Sequence, residues 1–92
     1  MSVNIYKNKT FSELKEISKN MEPILRIGKN GLTNGVISEL ESQLKNRHLI
    51  KIKMLPAFLD TQDRRIIALK LAKKTDSKLV QQVGGVVVLY KR

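Results

Sequence analysis

The sequence contains no cysteine, no tryptophan, one histidine, two prolines and only four aromatic residues in 92. Without cysteine there can be neither disulfides nor thiolate metal sites. The aromatics, Tyr6, Phe11, Phe58 and Tyr90, do not have the spacing of a base-stacking platform. His48, the lone imidazole, has no nucleophile-acid arrangement near it in the sequence, and neither a Ser/His/Asp nor a paired-carboxylate set stands out. The acidic residues lack zinc or calcium spacing. A catalytic role, a metal and a cofactor are therefore not expected. No run approaches the ~20 apolar residues needed to span a bilayer. Met1 to Lys9 has neither the apolar core nor the cleavage pattern of a signal peptide. The expectation is a soluble cytoplasmic protein with no membrane partner.

Acidic side chains are the remaining scarcity. Eight Asp and Glu stand against 18 Lys and Arg, a formal net charge of +10 with pI near 10.2. Such an imbalance is the electrostatic footprint of a polyanion binder. The chain is also 41% hydrophobic, which suits a folded domain rather than a disordered tail. At this length it forms one domain with a modest core and little room for an enclosed substrate pocket.

Hydrophobic periodicity supplies the elements. Residues 1–9 read as a flexible lead-in and 10–92 as the domain. Thr10 and Glu13 have capping-box spacing, and Phe11, Leu14, Ile17 and Met21 carry a helical period, predicting a helix over Phe11 to Asn20. Pro23 stops it. Ile24 to Ile27 reads as a short strand. Thr33 is a credible N-cap for a helix over Asn34 to Asn46, with Val36, Ile37, Leu40 and Leu44 as its buried stripe.

His48 to Leu55 alternates as a strand, with His48, Ile50, Ile52 and Met54 on the core register and Lys51 and Lys53 on the other. Pro56 ends it. Asp60 and Asp63 mark a third helix to about Thr75, with Ile67, Ala68, Leu69, Leu71 and Ala72 buried and Lys70, Lys73 and Lys74 solvated. Lys78 to Val83 and Val86 to Tyr90 are strands joined by Gly84-Gly85, a tight-hairpin signal. The order α-β-α-β-α-β-β implies a compact two-layer α/β domain with a mixed four-stranded sheet.

The chemically informative segment is Gly28-Lys29-Asn30-Gly31, between a strand and a helix. Glycines let backbone amides approach a ligand, the helix N-terminus adds unpaired N–H groups and partial positive charge, and Lys29 adds a full charge. The loop is neither a Walker loop nor a dinucleotide fingerprint. A tight turn alone would also use these glycines.

The run from Pro23 through Ile27, Gly28-Lys29-Asn30-Gly31 and Leu32-Thr33 resembles the signature of the CRM domain (chloroplast RNA splicing and ribosome maturation). So do His48 to Lys53 and the ending Leu79 to Gly84 with Val87 to Tyr90. The resemblance covers about residues 11 to 92 and is nearest to short stand-alone prokaryotic YhbY-like members. It implies a fold similar to the C-terminal domain of translation initiation factor three. It also implies RNA binding through a GxxG loop likened to that of KH domains, which clamps backbone nucleotides. Gly28, Lys29, Asn30 and Gly31 inherit that role position by position. Two departures stand out. The family often has a basic residue where this sequence has Gly85, and commonly Thr-Gly where it has Thr75-Asp76.

Further candidate RNA contacts are Arg26 beside the loop, the Lys51 and Lys53 strip, and Arg64 and Arg65. The last two sit at a helix start, where the dipole disfavours cations. Each also has a plain reading as solvated surface. His48 is expected to pack or cap, and Phe58 is left open between exposure and burial. What the resemblance implies for function is a ribosome assembly factor on precursor large-subunit RNA within a pre-ribosomal particle; a monomer is expected. Alternatives are a cofactor in intron splicing or tRNA processing, and a resident structural ribosomal protein.

Overall fold

The computed structural model describes residues 3–59 and 63–92. Asp60, expected at the start of the third helix, and Met1 of the expected lead-in lie outside the described residues. The elements are α1 (Phe11–Ser18), β1 (Leu25–Ile27), α2 (Asn34–Arg47), β2 (Leu49–Met54), α3 (Pro56–Leu59), α4 (Arg64–Lys74), β3 (Lys78–Val83) and β4 (Val86–Tyr90).

The caps explain most boundaries. At α1, Glu13 N donates to Thr10 Oγ1 at 3.2 Å while Thr10 N donates to Glu13 Oε1 at 3.1 Å, a complete capping box. The helix stops at Ser18, two residues short of the predicted Asn20. Its exit tightens into i→i−3 bonds, Lys19 N to Glu16 O, Asn20 N to Ile17 O and Met21 N to Ser18 O. Thr33 caps α2 by accepting from Val36 N. Asp63 caps α4 by accepting from Arg65 N and Ile66 N.

Three expectations need correction. His48 is not the first strand residue: at φ 67° it turns the chain out of α2, its N–H still bonded to Leu44 O, and the strand begins at Leu49. Pro56 ends β2 but also opens the one-turn helix α3, where its fixed φ suits the first helical position. Leu69 is 54% exposed. At 3.6 residues per turn it sits about 130° from the middle of the stripe formed by Ile67, Ala68, Leu71 and Ala72.

The sheet order is β1-β2-β4-β3, with β1 and β2 parallel and the other pairs antiparallel. The main core lies on one face. Ile27, Ile50, Ile52, Met54, Val87 and Leu89 from the strands meet Leu40 and Leu44 of α2, Phe58 and Leu59 of α3, and the α4 stripe. This is the layer pairing that the alternation predicts. A smaller cluster occupies part of the opposite face, where Leu14 of α1 packs on Leu49, Val80, Val88 and Tyr90, with Tyr6 and Ile17 at its margin. Within the stretch read as a lead-in, Asn4 Nδ2 donates to the Tyr90 hydroxyl at 3.0 Å.

Helix α1 therefore covers the back of the sheet at the Leu49–Tyr90 end only. At the other end of that face Arg26 and Lys53 are exposed, as is Val83 at 60%. The Gly28–Gly31 loop leaves the sheet at that open end.

Candidate nucleic-acid interface

The loop is a tight turn. Gly31 N donates to Gly28 O at 2.9 Å, which places Lys29 and Asn30 at an exposed tip. Gly31 adopts φ +68°, a left-handed conformation that favours glycine. Beneath it lies Phe58: a Cβ on Gly31 would stand 3.4 Å from the ring. Phe58 is 8% exposed, so it is buried, and α3 supplies an aromatic brace for the turn. Leu55 N donates to Ile27 O at 2.9 Å, tying the exit of β2 to the foot of the loop.

Beyond the turn, α2 begins with no acidic residue in its first turn. Val36 N is occupied by Thr33 Oγ1 and Ile37 N by Thr33 O, but the first amides, those of Asn34 and Gly35, have no intrahelical acceptor. The partial positive charge of this terminus is thus uncompensated locally. The start of α4 differs. There the Asp63 carboxylate takes two amides and offsets the dipole, which also accounts for the tolerance of Arg64 and Arg65.

Cross-strand register decides which cations join the loop. Arg26 on β1 is the direct neighbour of Lys53 on β2. Both side chains emerge on the uncovered face next to the loop, and no described carboxylate pairs with either. Adjacent like charges repel unless an anion lies between or above them. Lys51 shares the strand face of Lys53 but not its surroundings. It is half-buried, and its ammonium donates to Ser18 O at 3.1 Å, at the exit of α1.

Arg65 lies at the opposite edge of the sheet, in a surface depression with Lys15 of α1 and Gln81, Gln82 and Val83 of β3. The strand it adjoins, β3, is three strand spacings, about 14 Å, from β1. Arg64 is exposed at the first position of α4. The structure thus brings Lys29, Asn30, Arg26 and Lys53 together, sets Arg65 across the sheet with Lys15, and ties Lys51 to α1. Lys15 was not singled out from the sequence. It stands one turn from Phe11 on α1, and only the packing of α1 on the sheet reveals its nearness to Arg65.

Among the described residues, no group of three or more His, Cys, Asp or Glu side chains could hold a metal ion, and no helix is long and apolar enough to cross a membrane. His48 Nδ1 lies 3.0 Å from Lys91 O, a structural contact.

Comparison with known proteins agrees with this architecture. The family model for the CRS1/YhbY (CRM) domain matches residues 7–91. A protein of Pseudomonas aeruginosa named Probable RNA-binding protein PA4753 is 36% identical over 80 residues, covering 87% of this chain and 75% of that protein. One of Haemophilus influenzae named RNA-binding protein is 35% identical over 78 residues, covering 85% and 77%. The solution structure of the hypothetical protein SAV1595 from Staphylococcus aureus superposes with a TM-score of 0.75 at 34% identity, covering 91% of this chain and 85% of that one.

Proposed function

The chain belongs to the CRS1/YhbY (CRM) domain family, and from that membership we propose that it binds RNA backbone at the corner formed by Gly28, Lys29, Asn30 and Gly31. The observation that carries this reading is the turn itself. Lys29 and Asn30 are exposed at the tip, braced by Phe58, ahead of a helix terminus with no acidic residue in its first turn. Phosphate oxygens suit that corner because N–H donors and positive charge converge there. Arg26 and Lys53 extend the cationic surface along the neighbouring strands. Arg65 and Arg64 add positive charge farther across the same end of the sheet. Affinity from such contacts is largely electrostatic and falls with salt. The relatives named as RNA-binding proteins support the choice of polyanion.

The finer proposal is a monomeric cytoplasmic assembly factor that holds a structured segment of precursor large-subunit RNA, with no bond made or broken. Crosslinking in cells followed by sequencing of the bound RNA tests it, together with sedimentation on a sucrose gradient. The expected result is recovery of precursor large-subunit RNA and co-sedimentation with precursor particles. Recovery chiefly of intron or tRNA sequences, or stable residence in mature ribosomes, contradicts it.

A further inference from the structure

Cations also gather at the end of the molecule remote from the Gly28–Gly31 loop, and there they surround aromatic side chains. A depression of about 370 Å³ is lined by Phe11 and Tyr90, with Lys7, Lys78 and Arg92 among its other walls. Its volume falls in the range of small-ligand sites, roughly 300–1,000 Å³. Phe11, the first residue of α1, is 44% exposed, an unusual position for a phenylalanine in a chain with four aromatics. Tyr90 is 8% exposed, with its hydroxyl taken by Asn4 Nδ2, so its ring belongs to the floor and not to the solvent.

The charge around this floor is one-sided. Lys7, Lys78 and Arg92 are exposed, and Asp76 is the one acidic side chain among the lining residues. The Lys91 ammonium is engaged elsewhere, donating to Thr75 O at 3.4 Å. A half-exposed aromatic ring ringed by cations matches an unstacked nucleobase lying on the ring while its phosphates meet the ammonium groups. Sequence spacing hides this pairing: Phe11 and Tyr90 are far apart in the chain and line one depression because Leu14 packs α1 against the last strand.

We infer that this depression is a second RNA contact, one that takes a single-stranded nucleotide on Phe11 with Lys7, Lys78 and Arg92 around it. The inference rests on the reading of the chain as an RNA binder and adds a base-contacting site to it. Lys78 pairs with Tyr90, whereas the loop adjoins the Val83–Val86 end of the same hairpin and lies beyond the far edge strand. Strand rise and strand spacing put the two places on the order of 20 Å apart. A structured RNA with a flanking unpaired segment would engage both.

The test uses a short single-stranded RNA carrying 2-aminopurine, whose fluorescence is quenched when it stacks. The parent protein is expected to bind and quench. Phe11→Leu keeps the apolar bulk but removes the ring, and is expected to lose the quench and weaken binding about five-fold or more, while Phe11→Tyr retains both. Lys78→Ala should lower the salt slope by about one unit. Thermal melts of each variant establish that the fold is kept. Binding by the parent without quenching, or parent-like quenching and affinity in Phe11→Leu, overturns the second site. If Lys29→Ala still weakens binding in that case, the loop reading survives alone. Failure of the parent to bind any RNA overturns both.

Discussion

Two lysines on one strand face, Lys51 and Lys53, show how little the residue type says without its surroundings. The ammonium of Lys51 closes the exit of α1 on Ser18 O, while that of Lys53 stands in the open beside Arg26. Lys53→Ala is expected to lower the salt slope of RNA binding by about one unit with an unchanged melting temperature. Lys51→Ala is expected to do the reverse, lowering the melting temperature by a few degrees and leaving the slope alone. Salt titrations and thermal melts of the two variants, run in parallel, check the contrast.

Two residues that depart from the family resemblance, Gly85 and Asp76, sit at conformationally demanding positions. A Cβ on Gly85 would lie 2.6 Å from Met54 O, a backbone atom that cannot swing aside, so Gly85→Ala should cost about 1–3 kcal/mol in a denaturant melt. Asp76 sits at φ 51° after α4, where Ser77 N bonds to Ala72 O and Asp76 N to Lys73 O, the paired bonds of a Schellman ending. Asp76→Gly relieves the left-handed strain and should add about 1 kcal/mol in the same assay.

At the scale of the element, capping chemistry was the most legible feature. Thr10, Thr33 and Asp63 each cap the helix they precede, because a short hydroxyl or carboxylate side chain reaches the first amides wherever the following residues are helical. The hairpin strands flanking Gly84-Gly85 matched residue for residue. What escaped was set by tertiary contact. Helix α3 is too short for periodicity to register, Leu69 borders a stripe whose centre only packing fixes, and His48 leaves α2 in a conformation that alternation does not encode. The loop residues, Arg26 and Lys53 were legible as candidates; that Arg26 and Lys53 stand side by side needed the register, and the brace from Phe58 needed the fold.

The cap of α1 carries a pH signature. The Glu13 carboxyl is held below the usual glutamate range, chiefly by the hydrogen bond from the Thr10 backbone amide, with the Thr10 hydroxyl and the Lys9 charge adding to it. A carboxyl whose folded pKa is lowered gives stability that is fully present above its unfolded pKa and is lost as pH falls through the folded one. Glu13→Gln keeps a side chain able to complete the box but cannot titrate. The melting temperatures of parent and variant should therefore differ most near neutral pH and converge below the glutamate range; a constant gap across that range would contradict this origin.

For the molecule as a whole, the 25 × 21 Å cross-section and 37 Å length place one core on one sheet face and a partial cover on the other. Because α1 covers only the Leu49–Tyr90 end, the other end remains open where the loop, Arg26 and Lys53 emerge. The net charge of +10 provides long-range attraction from any direction. Local geometry must therefore choose the face, and the proposal assigns that choice to the braced turn. Gly31 is a poor place to probe it, since its positive φ and the Phe58 ring would mix strain with lost binding. Lys29 and Asn30 are exposed and free of that difficulty.

The most direct measurement is the RNA dissociation constant, followed across a salt series, of the double variant Lys29→Glu, Asn30→Asp against the parent. Two carboxylates at the tip should repel the phosphates the parent attracts. The expected result is a loss of affinity of at least about ten-fold and a salt slope smaller by about one unit or more, at an unchanged melting temperature. A folded double variant with the affinity and slope of the parent would show that RNA is held elsewhere and that the turn is only a turn.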